Sequence, residues 1–218
     1  MPPRYAEWLR YLFDRPPAPE AWYFDLDIPS FDAEPLELAE LIAATFAHCG
    51  RDLAPYSDEQ LDHGLRYILD NGCSDAVFAL KSDDVPMALR LGAISSLKHL
   101  YADIFEHRCV PVLAHLDEPG GNGLTYICYM LWDITPLGYW ENQKEKTVFY
   151  DAVCEALDYA VRSANLACVE SGLHGLGHIH HDYPERVEEI IDAFLARGAA
   201  GSPALQQYAQ LARTGYVL

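Results

Sequence analysis

The sequence predicts an all-α protein assembled from antiparallel helix pairs. Apolar residues return at three- and four-residue steps through most of the chain, the period of a helix with one buried face. The breaks between those stretches are short and carry prolines, glycines or helix caps. No extended run finds a second one to pair with. Half of the 218 residues are hydrophobic and 22 % are charged, a globular composition with enough apolar surface for a substantial core.

Residues 4–13 form a short amphipathic pattern carrying Trp8, Leu9, Leu12 and Phe13, closed by the proline-rich connector 15–19. An irregular stretch, A-W-Y-F-D-L-D-I-P, precedes a helix over 34–48 with Leu38, Ile42, Thr45 and Phe46 on one face. Together these divide the chain into an N-terminal helix with an acidic, aromatic arm (1–33) and a helical domain (34–218). Ser57 and Gln60 have capping-box spacing, and the helix they open ends at Asn71-Gly72. A helical turn is expected over 75–80, then one long helix from Met87 to about His107.

Beyond the loop Glu118-Pro-Gly-Gly-Asn-Gly, residues 124–134 are apolar nearly all round. That pattern fits a buried helix or a strand; helical neighbours and the lack of a partner strand favour helix. Residues 144–161 repeat apolar pairs every four positions, and the turn at 162–165 sets the next helix antiparallel beside them. The following segment, N-L-A-C-V-E-S-G-L-H-G-L-G-H-I-H-H, thins into Gly172, Gly175 and Gly177 and ends in histidines. It reads as a packed joint where glycines let neighbouring helices touch. Pro184 and Ser202-Pro203 open the last two helices.

Fifteen basic against thirty-three acidic residues give a net charge of −18. Binding to nucleic-acid phosphates or anionic membrane surfaces needs the opposite sign and is disfavoured. No apolar run approaches bilayer length, and the first residues lack the apolar core of a signal peptide. Six cysteines are scattered without a C-x-x-C pair, which points to buried thiols in a reducing cytoplasm.

Two segments resemble HEAT-type repeats. The first is Asp83-Asp84-Val85 followed by Leu89-Arg90-Leu91-Gly92-Ala93-Ile94 and Ser96-Leu97. The second runs from Gly172 to Gly177, with the aliphatic helix at 187–195 after it. The resemblance, to the HEAT/armadillo class of α-solenoids, implies helix pairs stacked as a short α-α superhelix over residues 34–213. It also implies a concave surface for binding other macromolecules.

Three groups of residues are candidates for function. Glu170, His174 and His178 are spaced by four on one helical face with His180 just beyond, a spacing at which imidazoles and a carboxylate share a divalent transition metal such as zinc. The competing reading has these histidines capping helix carbonyls at the joint. The second group is aromatic: Tyr126, Tyr129, Trp132, Asp133, Tyr139, Trp140 and Tyr150, of which Tyr139 and Trp140 follow a Pro/Gly break and are expected to be partly exposed for a partner. The third is the stretch 16–50, which has seven acids and no Lys or Arg, with Trp22, Asp25 and Asp27 suited to a basic protein. No catalytic motif is present. The leading expectation is therefore a non-enzymatic cytoplasmic protein that binds a basic protein partner as an adaptor or immunity-type inhibitor. The alternative is a metal-binding protein or metal-dependent enzyme built on His174 and His178.

Overall fold

The computed structural model describes residues 1–16, 21–141, 144–198 and 202–217. Positions 17–20, which hold most of the proline-rich connector and Glu20, lie outside the described residues. The order of elements is helical throughout: α1 (Tyr5–Phe13), α2 (Pro35–Asp52), α3 (Asp58–Leu69), α4 (Met87–Ser95), α5 (Leu97–His99), α6 (Glu106–Arg108), α7 (Gly123–Ile134), α8 (Lys146–Ala160), α9 (Leu166–Ile179), α10 (Pro184–Ala196) and α11 (Pro203–Ala212). Short 3-10 turns, among them Trp22–Phe24, Ala76–Lys81 and Ala114–Leu116, connect them. The described residues contain no strand, so the apolar stretch 124–134 is helix. No described helix is long and apolar enough to cross a membrane.

Local chemistry fixes the helix starts. Ser57 Oγ accepts from Gln60 N at 3.3 Å while Gln60 Oε1 accepts from Ser57 N at 3.0 Å, the expected capping box. A second box, Asn122 with Thr125, opens α7. Asn165 caps α9 through Ala167 N at 3.0 Å, and its amide donates to the carbonyls of Glu106 and Cys109. It thus ties the start of α9 to the end of the preceding helical stretch.

The single long helix expected over 87–107 is interrupted instead. Ser96 Oγ bonds back to the Gly92 carbonyl at 2.7 Å, a side-chain bond that competes with the helix ladder. The chain then widens into a π-helical turn, Leu100–Phe105, between α5 and α6. In this wide turn Leu100, Tyr101, Ile104 and Phe105 are all buried. Tyr101 Oη receives Trp132 Nε1 at 2.9 Å and meets Ser171 Oγ at 2.8 Å.

One apolar core takes in Trp8 and Phe13 at one extreme and Tyr208 and Ala212 at the other. Its axis is α9, where every residue from Ala167 to Gly177 is buried. Helices α7 and α8 pack on it, joined by α10 and α11. The glycines make this approach possible. A Cβ on Gly172 would lie 2.8 Å from Val161 Cγ1 and 3.0 Å from the Val161 nitrogen. On Gly175 it would lie 2.6 Å from both Leu157 of α8 and Trp132 of α7.

Gly175→Ala should therefore destabilise the protein by about 1–3 kcal/mol through overpacking. Gly92→Ala, in an exposed helical position with nothing within 4 Å of the new methyl, should stabilise it by about 0.5–1 kcal/mol. Thermal unfolding of the two variants checks both signs.

Candidate functional site

Three helices and a loop converge at the C-terminal half of α9. On α7, Tyr129 and Asp133 are one turn apart; on α9, Glu170, His174 and His178 follow each other at four-residue steps; α11 supplies Tyr208 and the turn Ala114–Leu116 supplies His115. The helical spacing alone aligns each set on one face.

Asp133, His174 and His178 bring their ligating atoms together. Asp133 Oδ2 lies 2.6 Å from His174 Nε2, Asp133 Oδ1 lies 3.0 Å from His178 Nε2, and the two Nε2 atoms are 3.0 Å apart. His174 is 1 % exposed, whereas the side chains of His178 and Asp133 are 34 % and 28 % exposed. The trio therefore has a buried floor and an open rim. Burial works against ionisation of Asp133, but hydrogen bonds from His174 and His178 outweigh it and hold the carboxyl below its ordinary range.

The far side of His174 is also held. Its Nδ1 meets Tyr208 Oη at 2.5 Å, and the Tyr129 ring tilts against the imidazole with centroids 4.7 Å apart. The Tyr208 ring stacks on His115 at 4.3 Å. A hydroxyl both donates and accepts, so Tyr208 supports either tautomer of His174. Burial is the main cause raising the Tyr208 phenol far above its usual range, with Tyr129, Glu170 and Asp133 adding to it.

Glu170 is placed differently from the expectation that grouped it with the histidine pair. It is fully buried, and its carboxylate accepts Ala114 N at 2.8 Å and His115 N at 3.0 Å and contacts His115 Nδ1 at 2.5 Å. It fastens the loop after α6 to the central helix. His180 contacts Glu188 Oε1 at 3.4 Å, outside the trio. The carboxylate that joins the histidines is Asp133, which sequence reasoning set among the aromatics. One signal marked it: it is the sole charged residue between Gly123 and Ile134.

The residues proposed for a partner are scattered. Trp140 is a correction: it is fully buried, stacked on Phe149 at 4.1 Å, with its indole donating to the Leu137 carbonyl. The break at Pro136–Gly138 turns the chain inward and satisfies the indole inside the core. Tyr139 is 52 % exposed, Asp25 and Asp27 are exposed, and Trp22 is half-buried.

Comparison with protein-family models, curated proteins and solved structures returns no match.

Glu170→Ala should cost about 3 kcal/mol or more, because it strands two backbone donors and an imidazole. Glu170→Gln, which keeps one accepting oxygen, should cost less. Urea denaturation gives the order, and amide exchange at Ala114 and His115 should accelerate in the alanine variant.

Proposed function

We propose that this helical protein binds a divalent transition metal, with zinc the best fit, through Asp133, His174 and His178. The observation that supports it is the triangle of ligating atoms. If both Nε2 atoms donate to Asp133, neither has a proton left for the 3.0 Å contact between them, so like faces like across that edge. A cation at the centre satisfies all three edges at once. Ligands at zinc–nitrogen and zinc–oxygen distances of about 2.0–2.2 Å in tetrahedral array lie about 3.4 Å apart, a few tenths of an ångström wider than the longer edges here. The Nδ1 of His174 then donates to Tyr208, the outer support that orients ligating histidines.

An ion held by three protein ligands supplies a Lewis-acid position open to a small ligand. The exposed rim formed by His178 and Asp133 gives access to it. Glu170 is committed to the Ala114–His115 backbone and is not free to serve as a general base, which favours metal binding over metal-assisted hydrolysis. Titration of tag-free protein with zinc, followed by calorimetry and elemental analysis, should find one equivalent bound. His178→Ala and Asp133→Ala, both at the exposed rim, should weaken binding by about 100-fold or more, and the zinc retained by the native chain should be removed by a strong chelator. His180→Ala should bind normally. Stoichiometric zinc retained in both rim variants would refute the assignment.

A second reading, a HEAT-like helical stack that docks a basic protein, is favoured by a different feature. Leu26 is 99 % exposed and Phe24 66 % exposed, flanked by Asp25 and Asp27 on a turn closed by Asp27 N to Asp25 Oδ1 at 2.9 Å. Two large apolar side chains displayed between carboxylates match a partner with an apolar pocket rimmed by bases. Leu26→Ser with Phe24→Ser should leave folding unchanged and reduce capture of a basic partner at least tenfold. Capture by the native chain should weaken with salt. Capture that ignores both would dismiss the reading.

A further inference from the structure

A cavity lies far along the chain from the histidines. It has a volume of about 350 Å³ and sits where the 3-10 turn Trp22–Phe24 and the segment up to Phe31 cross α1, α3 and the start of the turn Ala76–Lys81. Its walls are aromatic: Trp8, Tyr11, Trp22, Tyr23, Phe31 and Tyr67. Neighbouring rings meet at steep angles. Tyr11 stands at 86° to Trp22, and Phe31 at 70° to Trp8, with centroids 5.1 and 5.0 Å apart. Trp22 instead stacks on Tyr67, at 24° and 5.1 Å, so the walls mix ring faces with ring edges.

Two observations say what such a cavity would hold. The rings already attract cations from outside: the Arg15 guanidinium sits 4.7 Å from the Trp22 ring and 5.2 Å from Tyr11, and Arg4 sits 4.4 Å from Phe31. Among the described residues, the lining contains no Lys, Arg or His but does contain Asp75. Aromatic faces recognise quaternary ammonium groups, and a carboxylate adds charge complementarity. A volume of this size lies within the range of small-molecule sites, about 300–1,000 Å³.

We propose that this cavity binds a small quaternary ammonium compound, the cationic head that choline carries. The trimethylammonium group lies against the aromatic walls and Asp75. The site is independent of the histidine trio and stands or falls without it.

Calorimetry and intrinsic tryptophan fluorescence of the full chain test this with three probes at constant ionic strength: choline, tetramethylammonium and 3,3-dimethyl-1-butanol, the neutral isostere of choline. Choline should bind at least tenfold more tightly than the neutral isostere, with sodium chloride at the same concentration producing no signal. Asp75→Asn, at an exposed position, should weaken both cations several-fold. Trp22→Leu removes a ring from the wall and should weaken both cations several-fold; circular dichroism checks that it folds. Equal binding of choline and its isostere would overturn the proposal, as would failure of both cations to bind at millimolar concentration.

Discussion

The close approach of α7 and α8 to α9 is the constraint on which the rest of the structure rests. A helix enclosed on that many sides cannot turn its polar residues to water, so each must find a partner inside. Ser171 meets that demand with Tyr101 and the Cys128 carbonyl. Glu170 meets it with the Ala114–His115 backbone, and His174 with Asp133 and Tyr208. The ordered cluster of titratable groups is thus a consequence of the glycine-mediated packing. The network opens to solvent where α9 reaches the surface, at His178, and at the neighbouring Asp133 of α7.

Both proposed sites treat cations as their ligands, which agrees with a chain of net charge −18. A field of that sign concentrates cations near the surface and repels phosphates. The two sites use different physics. At the trio, lone pairs converge and softness and geometry select the ion. In the aromatic cavity, the ring quadrupoles act on a cation too diffuse to be ligated.

The helices were legible because their signals are local: a three- to four-residue apolar period, the Ser57–Gln60 box, and prolines at the starts of α10 and α11. The glycine-rich joint was legible for the same reason, since small residues on a buried face have few other uses. What sequence could not supply is which side chains meet across elements. Glu170 sits one turn before His174 and has the spacing of a ligand, yet the loop from another part of the chain takes its carboxylate. Asp133 and Tyr208 lie 41 and 34 residues from His174, distances no periodicity spans. Trp140 was misplaced because a Pro/Gly break signals a change of direction without saying whether the chain turns outward or in. The break at Ser96 was missed because the apolar period continues through it.

The end of the chain closes over the central helix. A methyl group on Gly177 would lie 2.4 Å from Val217, and one on Gly215, at φ +74°, would lie 3.0 Å from His180 Nδ1. The last turn is therefore a keystone seated on the same helix face as the histidines. Displacing Val217 would uncover the glycine seam at Gly177 and loosen the scaffold under His174 and His178.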